Sequence, residues 1–474
     1  MEINDAPLLA AWHAYVDGGV TPFTIPGHKR AAARLWPALG AAVASDVPLF
    51  GGLDTVKLAG GTLADAEARA AALWGADWCR FSTGGSTHAN QAIALAVGRP
   101  GDTVLVTRSA HRSTLLGLVL AGLNPVWLPT TVDPRFGIPS GVSPEALRGA
   151  LAAHPSARAV FLVEPSYLGT VSDLPALIAA SDVPVIVDQA WGAHFGFHPS
   201  LPPHALQVGA AALVTSAHKT LPAYSQASLL LARTDRLDPD RLDRAFEAGN
   251  TTSPAGSILA STDAARALLA ARGPQLLDSL LSLVADAHAR LRRTAGLLVP
   301  GPESFPAGRF DPAKLVVILS GTGADGIAVE RDLIAAGVPV EMADRDTIVP
   351  IVTLADTRES VDRLVDALVG LVERHRGPAR PVGLAIQWGA PAEAAMTPRD
   401  AFFADHETVP ADRAVGRVCA EVVAPYPPGV PVLVPGEVVT ESLLAGLRAA
   451  RDAGTRIAYA ADPTLGTLQV VRDA

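Results

Sequence analysis

The sequence predicts an α/β protein built around a doubly wound sheet. Three observations carry this. From about residue 60 to 230, short apolar runs alternate with stretches of helical periodicity. The runs are continuously apolar, as strands are when both faces of a sheet are covered. A second series of the same kind begins at Lys314, in a chain of 474 residues that exceeds what one hydrophobic core usually organises.

In chain order, Asp65 to Trp74 places Leu and Ala at helical spacing. Thr103–Val106 reads as a short buried strand, Arg112–Ala121 as a helix and Pro125–Leu128 as the next strand. Ala159–Val163, Val183–Val187, Ala211–Val214 and Ala227–Leu231 complete the first set. Residues 264–298, rich in Ala, Leu and Arg, form a long helical region. In the second unit, a strand at Lys314–Leu319 is followed by a helix near Ala324–Ala336. Strands near Val338–Met342 and Thr347–Leu354 and a helix over Glu359–Arg374 follow. Pro378 to Pro381 is a linker, and Pro425-Tyr-Pro-Pro-Gly-Val-Pro431 and Val434-Pro-Gly-Glu437 are too rich in breakers for helix. The chain divides into an N-terminal arm (1–55), a large domain (56–270), a small α/β domain (271–377) and a C-terminal domain (378–474).

Composition narrows the function classes. Nearly half the residues are apolar and 18% are charged, which marks a globular chain. A net charge of −9, with no basic tract and no Cys/His cluster, argues against nucleic acid. Cys79 and Cys419 provide neither a disulfide framework nor a metal motif, so no metal is expected and a reduced, cytoplasmic setting fits. The first residues lack the basic and apolar regions of a signal peptide. The longest uncharged apolar run, Leu115–Val132, contains Asn124-Pro125 and Pro129 and is no membrane span. Lysine is scarce: Lys29, Lys57, Lys219 and Lys314 are all there are.

Open α/β sheets bind ligands at the carboxyl ends of their strands, and four segments of the first unit stand at such ends. Ser82-Thr-Gly-Gly-Ser-Thr-His-Ala-Asn90 precedes a helical run; Gly85, Ser86 and Thr87 there suit an anion, or merely cap the helix. Val185-Ile-Val-Asp188, followed by Gln189-Ala190-Trp191, ends a strand on a carboxylate. Such a group pairs with a pyridine nitrogen, as in pyridoxal-phosphate (PLP) enzymes, or caps a turn. Leu213-Val-Thr-Ser216-Ala-His218-Lys219 delivers a primary amine able to form a Schiff base, with Ser216 as a further phosphate contact. A lone lysine is usually a surface residue; the preceding strand, the adjacent histidine and the scarcity of lysine argue for function here. Arg108-Ser-Ala-His111 brings an imidazole that stacks on a ring or serves as a polar loop residue. Together the four provide a partner for the phosphate, ring face, ring nitrogen and aldehyde of PLP.

Further stretches extend the pattern along nearly the whole chain: Thr24-Ile-Pro-Gly-His-Lys29, Gly52-Leu-Asp54, Trp74-Gly-Ala-Asp77, Ser216-Ala-His-Lys219, Tyr224-Ser-Gln-Ala-Ser228, Thr252-Ser-Pro254, Ala260-Ser-Thr-Asp263, Thr397-Pro-Arg-Asp-Ala-Phe-Phe403 and Pro425–Glu437. With them the chain resembles the Orn/Lys/Arg decarboxylase family. Thr55-Val56-Lys57 departs from the Asp-Leu-His often found there, and the length leaves no room for the family's N-terminal wing domain, so the shorter, wingless branch is the match. The resemblance implies an aspartate-aminotransferase-like large domain with a mixed, mostly parallel sheet, plus smaller α/β C-terminal domains. It implies decarboxylation of a basic L-amino acid (arginine, lysine or ornithine) in polyamine biosynthesis. Lys219, His218 and Asp188 would be catalytic, with His218 or Lys219 protonating Cα. Gly85, Ser86, Thr87, His111, Ala190 and Ser216 would join them in holding PLP. Glu341, Asp344 and Ser166 would meet the substrate, and two neighbouring acids favour the forked guanidinium of arginine. The resemblance also implies a homodimer or higher homo-oligomer, with residues 1–55 and Thr252-Ser-Pro254 reaching the neighbour.

Two other classes stay open at this point. One is a different reaction on the same cofactor, by an aminotransferase or an aldolase, because fold does not fix chemistry. The other is a non-catalytic homologue that keeps the fold.

Overall fold

The computed structural model describes residues 2, 5–30, 33, 36–47, 49, 61–382, 392–426 and 429–472. The Gly52-Leu-Asp54 motif and Lys57 lie outside the described residues.

The large domain carries strands β1 (Trp78–Ser82), β2 (Thr103–Thr107), β3 (Asn124–Leu128), β4 (Thr131–Asp133), β5 (Ile138–Gly141), β6 (Val160–Val163), β7 (Val185–Asp188), β8 (Ala212–Ser216) and β9 (Ser228–Ala232). Seven of them form one sheet in the order β1-β9-β8-β7-β6-β2-β3, while β4 and β5 pair as a hairpin. Strand β9 runs antiparallel to β1 and β8, and the remaining pairs are parallel. The sheet is therefore mixed and mostly parallel, as expected.

Its two faces follow the two-residue alternation of a strand. Val104, Val106, Phe161, Ile186, Val214 and Leu230 pack with Ile93, Leu118 and Phe246 of the helices Gly85–Val97, Arg112–Ala121 and Pro239–Gly249. Leu105, Leu162, Val187, Leu213, Leu229 and Leu231 face the opposite way, against Ala70, Leu147, Leu177 and Leu259 of four other helices. Each fully buried Val or Leu stabilises by roughly 1.5–3 kcal/mol relative to exposure. Both faces are thus committed, which is why β7, β8 and β9 are buried at every residue.

Strand β1 is absent from the sequence reading because Arg80 interrupts its apolar run. In the fold Arg80 pairs with Asp243 at 2.6 Å and Glu67 at 3.5 Å and lies over the Trp78 ring, so its charge is accommodated at the sheet edge. The small sheet, β10 (Val317–Ile318), β11 (Met342–Ala343) and β12 (Thr347–Val349), is antiparallel and shorter than expected. Pro339 removes a ladder donor before β11, and Pro350 follows the last residue of β12. The helix Gly256–Leu291 starts eight residues before the expected helical region and crosses residue 270 unbroken.

The N-terminal helix Pro7–Asp17 docks on that long helix, with the Leu8 amide donating to buried Asp263 at 2.9 Å. At the other end, residues 394–471 build their own core around Cys419, Leu433, Leu444, Leu447 and Leu468. Arg108, 2% exposed, clamps this part onto β2. It pairs with Glu437, 1% exposed, at 3.2 Å and donates to the carbonyls of Pro431 and Val432. Among the described residues no helix is long and apolar enough to cross a membrane.

Candidate active site

The carboxyl ends of β2, β6, β7 and β8 open into one cavity of about 560 Å³. Gly85, Ser86, Thr87, His111, Ser166, Asp188, Ala190, Ser216, His218, Lys219, Glu341 and Asp344 all line it. The structure thus brings together every residue that the sequence singled out for the site.

One end is a helix N-terminus flanked by hydroxyls. The chain enters the helix Gly85–Val97 through Gly85 at φ +68°, a conformation that favours glycine. The Ser86 and Ser216 hydroxyls meet at 2.7 Å beside this helix N-terminus.

Asp188 ends β7. Its carboxylate accepts from the Asn90 side-chain amide at 2.7 Å and from the Ala190 backbone N–H at 3.1 Å. Burial raises its pKa, while the charge of Lys219 and these two hydrogen bonds oppose the rise. Asn90 also donates to the Ser113 hydroxyl at 3.0 Å, and that hydroxyl lies 2.8 Å from His111 Nδ1. His111 caps the helix Arg112–Ala121: its Nδ1 accepts from the Ser113 backbone N–H at 3.2 Å, which puts the ring proton on Nε2. Burial first, then the charges of Lys219 and Arg112, lower this imidazole to about 4, so it is neutral at physiological pH. The C-terminal part closes over it. Arg112 N–H donates to the Gly429 carbonyl at 3.0 Å, and a Cβ on Gly429 would stand 3.0 Å from His111 Nε2.

Lys219 follows β8, with its amine 4.4 Å from the centroid of the Trp191 ring. Burial lowers its pKa, against the pull of Asp188 and Glu341. His218 Nδ1 donates to the Ala227 carbonyl at 2.9 Å, and burial lowers this imidazole too.

The far wall carries the acids. Glu341 accepts from the Tyr167 hydroxyl at 3.4 Å and, among the described residues, forms no ion pair. Asp344 is less available: one of its oxygens accepts from the backbone N–H groups of Asp346 and Thr347 at 2.9 and 2.7 Å. Ser166 is likewise engaged locally, with its hydroxyl 2.6 Å from that of Thr170. Thr252 and Ser253 are exposed and do not line the cavity of their own chain.

Asn90, Ser113, Tyr167, Gln226 and Tyr426 line the cavity although the sequence assigned them no role in it. A signal existed for Asn90, which stands four residues after Ser86 on the same helix face. Tyr426 comes from another part of the fold, and only the docking of residues 394–471 reveals it.

The profile of the Orn/Lys/Arg decarboxylase major domain matches residues 6–299, and that of the family's C-terminal domain matches residues 386–457. This chain belongs to the Orn/Lys/Arg decarboxylase family. An arginine decarboxylase of Halalkalibacterium halodurans is 34% identical over 99% of this chain and 98% of its own length. An arginine decarboxylase of Bacillus subtilis is 33% identical over 100% and 99%. The structure of the constitutive lysine decarboxylase of Escherichia coli superposes with a TM-score of 0.82, at 21% identity, over 99% of this chain and 82% of that one. The fold is that of the PLP-dependent decarboxylases, and PLP is the cofactor of this decarboxylase.

Proposed function

We propose that this decarboxylase acts on L-arginine, releasing CO₂ and the corresponding amine. The observation that carries this reading is Glu341, an acid in no ion pair within 4 Å among the described residues, on the wall of the cavity that also holds Lys219 and Asp188. A planar guanidinium can engage both of its oxygens. The full-length likeness to arginine decarboxylases supports the same substrate.

The residues present fit PLP. The Gly85 helix N-terminus with Ser86, Thr87 and Ser216 suits the phosphate. Neutral His111 and the small Ala190 would suit contact with the ring. Asp188, buried and carrying donors of its own, suits the ring nitrogen, and Lys219 Nζ suits the aldehyde carbon. When bound, PLP accepts the electron pair left at Cα as the carboxylate departs. Asp188 holds a proton on the ring nitrogen. His111 stays uncharged and so does not repel the cationic ring. Tyr167, Trp191 and Tyr426 contribute aromatic rings to the wall of the cavity. Lys219 Nζ and, when the imidazole is protonated, His218 Nε2 are the two groups placed to deliver a proton to Cα.

Glu341→Gln removes the countercharge and leaves the cofactor contacts intact. We expect KM for arginine to rise by roughly ten- to a hundredfold, with a smaller change in kcat. An unchanged KM would remove Glu341 from the substrate site.

The same reading includes a homodimer in a reducing compartment. Phe23 is 94% exposed and Trp36 62% exposed on the N-terminal arm, as surfaces awaiting a partner would be, and Cys79 and Cys419 are free thiols. Thr252 and Ser253 are the residues offered to the neighbouring site.

A further inference from the structure

A second lysine shares the aromatic ring that Lys219 contacts. The amine of Lys314 lies 4.3 Å from the centroid of Trp191 and 5.0 Å from that of Tyr167. Lys219 lines the main cavity, Lys314 lines a smaller one with His194, Thr220 and Asp311, and Trp191 lines both. The two amines are therefore within about 9 Å of each other, in a site where water screens charge poorly.

Lys314 is held there by construction. It is 7% exposed. Its side-chain stem passes Gly169, where a Cβ would stand 2.7 Å from Lys314 Cγ. Its carbonyl accepts from His288 Nε2 at 3.2 Å and its N–H donates to the Asp311 carbonyl at 3.0 Å. A buried lysine with no ion pair at 4 Å among the described residues is costly to keep, and packing alone would be served as well by Met or Leu.

We propose that Lys314 is a positioning residue for the cofactor lysine: its ammonium, in contact with the same Trp191 ring, opposes a second positive charge on the Lys219 nitrogen. The proposal rests on the reading of Lys219 as the residue that binds PLP. Attachment requires the lone pair of Lys219 Nζ, which exists once its ammonium has released a proton to solvent. The new C=N bond then replaces the aldehyde C=O, whose oxygen leaves as water. A neighbouring cation is one of the ways in which a lysine is kept nucleophilic. Lys219 also faces Asp188, Glu341, His111 and His218. Burial lowers the Lys219 amine and the two acids pull against it; a cation at the shared ring contact acts in the same direction as burial. Lys314 faces Asp311, Glu341 and Tyr167 as well as Lys219. Burial and the repulsion of Lys219 bring it down to about 8, against the pull of Asp311 and Glu341, which leaves it mostly charged at neutral pH. The repulsion is mutual, so what it does to one amine it does to the other.

The test is a pH titration of the visible absorbance of the bound cofactor in full-length holoenzyme without substrate, followed by borohydride reduction and peptide mapping. Lys314→Met and Lys314→Gln should each raise the titration midpoint by about one pH unit, the effect of one charge at this range in a partly desolvated site. Lys314→Arg keeps the charge and should keep the midpoint near that of the natural enzyme. A midpoint that does not move in Met and Gln variants with cofactor mapped to Lys219 overturns the proposal alone. Equal shifts in the Arg, Met and Gln variants overturn it as well, since packing and not charge would then be the cause. Cofactor mapped to another residue overturns the reading of Lys219 and the proposal with it.

Discussion

Burial raises the carboxyl of Asp188, and the charge of Lys219 and hydrogen bonds from Asn90 and Ala190 pull it back toward the ionised form. An amide in its place keeps the shape and loses the charge that secures a proton on the ring nitrogen. Asp188→Asn should therefore still bind PLP, with turnover lower by two or more orders of magnitude, about 3 kcal/mol or more of barrier. Absorbance of the bound cofactor and initial rates check the two halves separately, and near-normal turnover would leave Asp188 as a turn residue. At this scale the residues that end strands, Asp188 and the Ser216-Ala-His-Lys219 group, were legible because a polar residue closing an apolar run has few other reasons to be there. Asn90 and Ser113 were not, because their roles depend on contacts the sequence does not show: Asn90 reaches Asp188 across 98 residues and also bonds to Ser113, which holds His111. Lys314 was visible only as the start of an expected strand. Its meeting with Trp191 depends on how the small sheet packs against the large one.

Among the elements, the buried strands β6 to β9 were plain in the sequence because both faces of each are apolar. Strand β1 was not, because the ion pairs that permit Arg80 come from Glu67 and Asp243 in other elements. Glu164, just beyond β6, is a buried acid of the same kind. It accepts from the Ser172 N–H at 2.8 Å, and burial pushes its carboxyl up from 4.5 to about 7. A raised carboxyl adds stability below its unfolded pKa and loses that contribution as pH rises through the folded value. The window is therefore about pH 4.5 to 7, and the loss across it is on the order of 3 kcal/mol at most. Glu164→Gln should match the natural protein in Tm near pH 4.5 and exceed it by a few degrees at pH 8. A difference in Tm that does not grow with pH would show that Glu164 is ionised in the fold throughout.

For the whole molecule, what matters is that residues from far along the chain finish the cavity. Glu341 and Asp344 come from the small α/β part, and Tyr426 and Val430 from the C-terminal part that Arg108 and Glu437 lock in place. No sequence pattern announces an ion pair between residues 329 apart. Assembly extends the same logic to a second chain. If Thr252 and Ser253 complete the neighbour's site, mixing the inactive variants Lys219→Ala and Thr252→Ala/Ser253→Ala should restore part of the activity, since mixed dimers contain one intact site. A mixture that stays inactive would mean self-sufficient subunits. The central claim, decarboxylation of arginine by this cavity, is tested most directly by measuring CO₂ release from arginine, lysine and ornithine with the purified, PLP-loaded protein. Arginine should show the highest kcat/KM, with the amine formed in equal amount to CO₂. Release of CO₂ from none of the three, or a keto acid in place of the amine, would contradict it.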